Sequence, residues 1–350
     1  MRLRSLKQGL SALSLAALVV TASGAMVSAS ADFVIRFTHG MPEVMESDQH
    51  AYAVVFKERV EAESNGRIEV RILGANQGGD ERQQLERVQA GINQMANISQ
   101  GTQHQFFPVG QIWSIPFLFS SHAVAWEVLD GPFGQHYNEA FLEETGVRIL
   151  NHTESGFRSI FNSAREIRTP ADMEGLRFRT RENPVEMEMF RALGGSPTPI
   201  SWTEVYTALQ QRVVDGMENP PGLFYMMNFY EQQSYMTESR HQYGLHTTVI
   251  NEDFFQSLPE DLKNLVMIAA HEALTVSRTA SYLQARAAAT NLTAEGIQIY
   301  TPSAEEFEMF RELGRPAAEA FVRDEVGDEW VDQLLEAIAE AEARLSFVSQ

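Results

Sequence analysis

The sequence predicts an α/β protein that divides into two lobes. Segments with strand and helix patterns alternate twice, from residue 33 and again from residue 147, and such alternation is typical of a parallel sheet covered by helices. Residues 260–290 contain neither glycine nor proline and predict a helix of roughly 45 Å, which is longer than one small lobe needs. A chain of 350 residues usually forms more than one core, so we expect this helix to cross between lobes.

The first alternation consists of two strands and two helices. The opening strand alternates apolar and polar residues, and Asn65-Gly66 is a typical helix end. Asp80 and Glu81 place acidic side chains in the first turn of the second helix, where the helix dipole favours them. The predicted elements are strands at 33–38 and 67–73 and helices at 48–64 and 80–90.

The second alternation leads into the long helix and a helical end. Ser201 and Glu204 have the spacing of a capping box, which predicts the start of a helix. Pro259 is favourable in the first turn of the long helix. The predicted strands are 147–151, 157–162, 176–181 and 296–300, and the predicted helices are 184–193, 202–211, 259–290 and acidic amphipathic helices that continue to Gln350.

The first 31 residues have the three parts of an export signal. A basic start with Arg2, Arg4 and Lys7 precedes an apolar stretch at 10–20 and a small-residue site that ends at Ala31. The apolar stretch is too short to span a bilayer, so we expect a cleaved signal peptide at 1–31 and an exported chain without direct membrane insertion. The sequence has no cysteine, which excludes disulfides and a lipid-modified cysteine.

The charge of the chain argues against polyanionic partners. The sequence has 27 Lys and Arg against 47 Asp and Glu, a net charge of −20. Such a charge repels nucleic acid and anionic lipid surfaces. We therefore expect no nucleic-acid partner.

Signatures of catalysis are missing from the sequence. There is no phosphate-binding loop, no dinucleotide-binding glycine motif and no nucleophile elbow, and the nine histidines lack metal-ligand spacing. We expect no catalytic residues, no metal and no cofactor. The alternative is an exported enzyme, or a binding module associated with a sensor, that acts on organic acids.

Three arginines alternate along one predicted strand. Arg177, Arg179 and Arg181 share one face because side chains in a strand repeat with period two. We expect Arg177 and Arg181 to pair with surface acids. Arg179 comes just before the helix that begins at Asn183-Pro184, and its planar guanidinium suits a ligand carboxylate.

Several motifs in this order resemble one family. The stretch from Leu176 to Pro220 combines a strand that carries Arg179, a Gly-Gly-Ser-Pro-Thr-Pro loop, Glu-Val-Tyr-x-Ala-Leu-Gln and Val-Asp-Gly-x-Glu-Asn-Pro. It is similar to the solute-binding subunit of tripartite ATP-independent periplasmic (TRAP) transporters, the DctP family. The Gly-Asp-Glu-Arg turn at 79–82 and the Ile-Pro-Phe-Leu-Phe run at 115–119 extend the resemblance over most of the chain.

The resemblance implies a two-lobed α/β periplasmic binding protein with mixed sheets flanked by helices and a long helix that crosses both lobes. It implies a periplasmic location and a membrane permease of the TRAP type as partner. The expected boundaries are lobe I at 32–155 and 245–284, lobe II at 156–244 and 285–314, and a helical tail at 315–350.

The resemblance also implies a set of ligand contacts. Arg179 matches the arginine that pairs with the substrate carboxylate, and Arg158 matches a second arginine near it. The other implied contacts are polar residues, an aromatic wall and three first-lobe positions that vary with the substrate, namely Asn183, Asn219, Trp202, Asp80, Gln100 and His39. The roles of Arg181, His241 and Tyr243 stay open.

The residues leave two ligand classes open. Both a hydroxylated sugar acid such as a uronate and a C4-dicarboxylate fit a pair of arginines. Asp80 would repel a second carboxylate, so the hydroxylated acid is favoured.

Overall fold

The computed structural model describes residues 31–346 of the chain and has a mixed α/β fold. The predicted signal peptide falls on residues that lie outside this range, except for Ala31, and so do residues 347–350. None of the helices within 31–346 is both long and apolar enough to cross a membrane.

Nine strands of the described range form one hydrogen-bonded sheet. Their order is β2-β1-β3-β8-β4-β7-β5-β6, with β9 paired to β8. The pairs β3-β8, β8-β4 and β4-β7 are antiparallel. The other pairs are parallel. The strands are β1 Phe33–His39, β2 Ile68–Leu73, β3 Met95–Ser99, β4 Val147–Asn162, β5 Arg177–Thr180, β6 Ser196–Pro199, β7 Gly216–Asn219, β8 Tyr235–Asn251 and β9 Gln298–Tyr300.

Helices cover the sheet. The α-helices are α1 Asp48–Glu63, α2 Glu81–Gln89, α3 Gln100–Gln103, α4 His122–Leu129, α5 Pro132–Thr145, α6 Pro184–Ala192, α7 Val205–Gln210, α8 Pro221–Met226, α9 Glu252–Ser257, α10 Glu260–Ala294, α11 Ala304–Val326 and α12 Asp328–Leu345. Short 3-10 helices lie at Pro108–Ser114, Pro170–Met173, Trp202–Glu204 and Phe229–Glu231.

The long central strand β4 differs from the prediction. The strands expected at 147–151 and 157–162 are one continuous strand, β4, whose pairing with β8 shifts register at three places. One shift lies between Glu154 and Gly156, and the φ of +93° at Gly156 is a conformation that glycine adopts without steric cost. The bulges bend the strand without ending it, so the polar residues in the middle do not mark a loop.

The capping box expected at Ser201 is also absent. The Ser201 hydroxyl bonds to side chains of Thr203 and Glu204 and not to a backbone amide. Without that cap the chain forms a 3-10 turn, and α7 begins at Val205. A capping box does form at Asp80, with Gln83 as its partner.

The long helix predicted from residues 259–290 is confirmed as α10. Its first half packs on α1 in an apolar cluster with the first strands of the sheet. Its second half packs on α8, where a Cβ added to Gly222 would lie 2.9 Å from the Cβ of Gln284. The helix thus links α1, which packs beside the first strands, to α8, which follows β7.

Three apolar clusters hold the sheet and helices together. One surrounds α1 and the first half of α10, a second and larger one includes Trp113, Tyr137 and Phe190, and the third contains Phe161 and Phe224, whose rings stack at 3.7 Å. Burial of these apolar side chains is the main driving force for folding in a chain without disulfides.

Candidate functional site

A polar cleft lies on the side of the sheet where the strand ends carry charged side chains. Its volume of about 400 Å³ is in the range that holds a small organic molecule. Two larger cavities, of about 580 and 570 Å³, have mainly apolar linings. The polar cleft is lined by Met41, Asp80, Glu81, Arg82, Gln83, Glu86, Ser99, Gly101, Thr102, Gln105, Arg158, Arg179, Arg181, Glu182, Ile200, Ser201, Trp202, Asn219, Leu223 and His246.

Arg179 is a buried cation without a carboxylate partner in the described part of the chain. It lies on β5 and is 2% exposed, and its Nε donates to the carbonyl oxygen of Ile200 at 2.9 Å. Its Nη1 is buried and has no hydrogen-bond partner among residues 31–346. The guanidinium carbon of Arg179 lies 6.0 Å from the centre of the Trp202 ring. Burial lowers the pKa of Arg179 to about 10, so it stays protonated at neutral pH. An anion in the cleft would complete this site.

Arg158 differs because it already has a counter-charge. Its Nη2 donates to Oε1 of Glu218 at 2.7 Å and to the Glu218 carbonyl at 3.1 Å, and its Nε donates to the other carboxylate oxygen. Both side chains are buried. Burial raises the pKa of Glu218, but the charge of Arg158 and further contacts outweigh it and hold the pKa well below its ordinary value. Arg158 therefore lines the cleft as half of an ion pair.

Asn219 presents an unsatisfied amide to the same cleft. It is the last residue of β7 and is fully buried, and both its Nδ2 and its Oδ1 lack a hydrogen-bond partner in the described protein. Buried amides are nearly always paired, so a bound polar molecule would satisfy it. β7 pairs with β4 at Ser159, and this pairing fixes Asn219 beside the Arg158 ion pair.

The flanking arginines pair with acids. Arg177 bonds to Asp215 at the exposed end of β5, at 2.8 and 3.0 Å. Arg181 is mostly buried, forms an ion pair with Glu186 and donates from Nη2 to Gln242 at 2.6 Å, while its Nε and Nη1 have no hydrogen-bond partner within residues 31–346. Burial alone would lower the pKa of Arg181, but Glu186 and other acids outweigh it and raise the pKa.

The wall formed near α2 and β3 is rich in carboxylates. Asp80 caps α2 and lines the cleft, and Glu81 accepts hydrogen bonds from the Ser99 amide at 3.1 Å and from the Thr102 hydroxyl at 3.0 Å. Four acids, Asp80, Glu81, Glu86 and Glu182, line the cleft with four arginines. The cleft therefore offers hydrogen-bond acceptors as well as cations.

Three predicted contacts do not line the cleft in this structure. Asn183 caps α6, because its position before Pro184 makes it the N-cap residue. Its side-chain amide donates to the Ser114 hydroxyl at 3.0 Å. Gln100 donates to the carbonyl oxygen of Tyr243 at 3.0 Å. His39 faces a second histidine at 3.2 Å, and its pKa is lowered to about 3, chiefly by burial.

Two of the three residues whose roles were open, His241 and Tyr243, lie behind the cleft wall. His241 is buried with its Nε2 at 3.6 Å from the carboxylate of Glu218. The hydroxyl of Tyr243 donates to the buried carboxylate of Glu154. His241 thus supports the Arg158 ion pair from the rear, and Tyr243 belongs to a separate polar cluster.

Most residues of the wall near α2 and β3 were not predicted from the sequence, and the role of Arg181, which lines the cleft, stayed open. Gly101 leaves room for the side chain of Arg181, since a Cβ on residue 101 would lie 2.9 Å from the Arg181 Cδ. The strands β3 and β8 were not predicted, so the side chains that they bring into the cleft, including Ser99 and His246, carried no signal in the sequence pattern.

Most of the chain matches one known protein family. Residues 40–324 match the family described as bacterial extracellular solute-binding protein, family 7, or DctP. The chain belongs to this family. DctP proteins are the periplasmic solute-binding subunits of TRAP systems, work with TRAP permease subunits and bind small molecules, and the family is not one of enzymes.

Individual DctP proteins are similar over most of their length. The 2,3-diketo-L-gulonate-binding periplasmic protein YiaO of Escherichia coli is 27% identical over 284 residues, 81% of this chain and 86% of that protein. The sugar acid-binding protein DctPAm of Advenella mimigardefordensis, solved with galactonate, is 31% identical with a TM-score of 0.84, over 88% of this chain and 98% of that one. A TRAP solute-binding protein of Sulfurospirillum deleyianum, solved with succinate, is 26% identical with a TM-score of 0.81, over 87% and 98%.

Proposed function

We propose that this protein captures a hydroxylated organic acid, such as an aldonate or uronate, and delivers it to a TRAP permease. The observation that carries the proposal is the buried guanidinium of Arg179, whose Nη1 has no partner in the described protein and which lines the cleft. A carboxylate is the anion that a guanidinium binds with two parallel hydrogen bonds. Asn219 would add a contact to a neighbouring oxygen.

The lining of the cleft favours a hydroxylated acid over a C4-dicarboxylate. Asp80, Glu81, Glu86 and Glu182 accept hydrogen bonds from hydroxyl groups, but they repel a second carboxylate. The relatives named above that bind diketogulonate and galactonate are in line with this choice, and the relative that binds succinate keeps the dicarboxylate as the alternative.

Capture would involve closure of two lobes, with lobe I at 32–155 and 245–284, lobe II at 156–244 and 285–314 and a tail at 315–350. The bulges of β4 and the glycine at 156 offer a place where the long strands could bend. Closure would exclude water and strengthen the pairing of the carboxylate with Arg179. The chain would reach the periplasm after cleavage of a signal peptide near Ala31 and would carry out no chemistry on its ligand.

A thermal shift panel tests the proposal. We expect galactonate, gluconate, galacturonate or a related acid to raise the melting temperature of the ligand-free protein, because a ligand at a hundred times its Kd adds about 2.7 kcal/mol to the stability. The panel includes succinate, ectoine and neutral sugars. A shift with succinate alone would contradict the hydroxylated class, and conversion of any bound acid to a product would favour an enzyme.

A further inference from the structure

A buried histidine lies in the cleft wall on the longest strand of the sheet. His246 belongs to β8, lines the cleft and is 3% exposed. Its Nδ1 lies 2.7 Å from Oδ2 of Asp48, the first residue of α1, which is also buried. An ionised carboxylate only accepts hydrogen bonds, so Nδ1 carries the proton and Asp48 fixes the orientation of the ring.

The second ring nitrogen of His246 is available to a ligand. Within residues 31–346, its Nε2 forms no hydrogen bond to the protein, and the ring borders the cleft. Asp48 holds the Nδ1 side of the ring, so Nε2 is the atom left for a molecule in the cleft. A polar atom in a nearly closed wall needs a hydrogen-bond partner on binding, or the complex loses affinity.

The surroundings of His246 select what this partner can be. Ser99 lies opposite His246 in the pairing of β3 with β8, and the Ser99 hydroxyl donates to Glu81 at 2.5 Å. The carboxylate of Glu81 is therefore close to the histidine. Arg179 pairs with Met217 of β7, which in turn pairs with Phe161 of β4. His246 pairs with Thr153 of the same strand, so the two residues are separated along the strands as well as across them. A ligand held at Arg179 reaches His246 only with the distant part of its chain.

We infer that His246, positioned by Asp48, binds a hydroxyl group of the acid that is remote from its carboxylate. A neutral ring presents Nε2 as an acceptor and an imidazolium presents it as a donor, and a hydroxyl group satisfies both forms. A second carboxylate satisfies only the imidazolium and faces the charge of Glu81. This inference rests on the proposed function and makes His246 a determinant of selectivity for long hydroxylated monocarboxylates.

Calorimetric titration of three acids tests the role of His246. D-Galactonate is long and hydroxylated, D-glycerate has the carboxylate with a short chain, and succinate has a second carboxylate. In His246→Leu we expect galactonate to bind about tenfold more weakly or worse, with glycerate affected by less than about twofold. His246→Gln, which keeps a hydrogen-bonding amide, should recover part of the loss.

A nitrogen NMR measurement distinguishes contact from structural support. The Nε2 resonance of His246 should shift on addition of galactonate and not on addition of glycerate. Asp48→Ala should reproduce the selective loss of galactonate affinity, because the ring is no longer held. If His246→Leu folds poorly, the affinity of His246→Gln and the Nε2 resonance of the unmodified protein still show whether His246 contacts the ligand.

The outcomes separate this inference from the function on which it rests. Galactonate binding that is lost in Arg179→Ala but unchanged in His246→Leu, or an Nε2 resonance that galactonate leaves in place, overturns the role of His246 alone. A protein that binds none of the three acids overturns this inference and the proposed function together.

Discussion

Replacing Arg179 with alanine should weaken acid binding by about 30-fold to several thousand-fold. Loss of a buried, hydrogen-bonded charge at an interface typically costs about 2–5 kcal/mol, and each 1.4 kcal/mol is a factor of ten in Kd. The fold should survive, because Arg179 forms no ion pair with a carboxylate in the described chain and is costly to bury without a ligand. Titration calorimetry of the ligand-free variant with galactonate measures the effect.

Arg177→Ala is the matched control for this variant. Arg177 lies two residues earlier on β5, is exposed and pairs with Asp215. An exposed pair contributes about 0–1 kcal/mol to stability, and this one does not line the cleft, so affinity should stay within about twofold. Equal affinities of the Arg179→Ala and Arg177→Ala proteins would refute the assignment of the carboxylate to Arg179.

Replacing Glu218 with alanine should destabilise the protein by about 3–5 kcal/mol. The change leaves Arg158 buried without its counter-charge, and removal of one partner from a buried pair typically costs this much. For a chain of this size the melting temperature should fall by roughly 5–10 °C. Thermal unfolding of the wild type and of Glu218→Ala, both free of ligand, measures the loss.

The pH dependence of this loss has a definite sign. The pKa of Glu218 in the folded protein lies well below its ordinary value, so its contribution is complete above the unfolded pKa of about 4.3 and is lost only as the pH falls through the folded value. The difference between wild type and Glu218→Ala should therefore stay constant from pH 6 to pH 8 and shrink in strong acid.

A double variant separates the charge from the packing. Arg158→Met combined with Glu218→Leu replaces the pair by apolar side chains and should be more stable than Glu218→Ala, because no unpaired charge stays buried. Glu63→Ala removes a surface pair with Arg59 and should change stability by less than about 0.5 kcal/mol. If Glu218→Ala unfolded at the wild-type temperature, the ion pair would have no structural role.

The sequence could predict the parts of the fold that local patterns determine. The capping residue Asp80, the break at Asn65-Gly66 and the uninterrupted stretch of α10 each act within a few residues, so their elements lie close to the predicted places. At β4 the prediction of two strands was wrong, because bulges that are stabilised by the partner strand β8 keep the chain extended. Pairing between distant strands has no local signal in one sequence.

Part of the candidate site could be predicted from local sequence, and part depends on contacts between distant strands. Arg179, Asn219 and Trp202 come from one short stretch whose motifs resemble the DctP family, and all three line the cleft. The opposite wall depends on β3, β8 and α2, which meet only in the folded sheet. Residue type alone therefore could not show that His246 would face the cleft.

The most direct test of the central claim compares an acid with its uncharged derivative. Galactonate and galactonamide share chain length and hydroxyl groups and differ in the charge of the terminal group that we assign to Arg179. Calorimetry on the ligand-free protein should show binding of galactonate and a loss of about 30-fold or more for galactonamide, because a neutral amide cannot compensate the buried guanidinium. Equal affinity for the two molecules would contradict capture through the carboxylate.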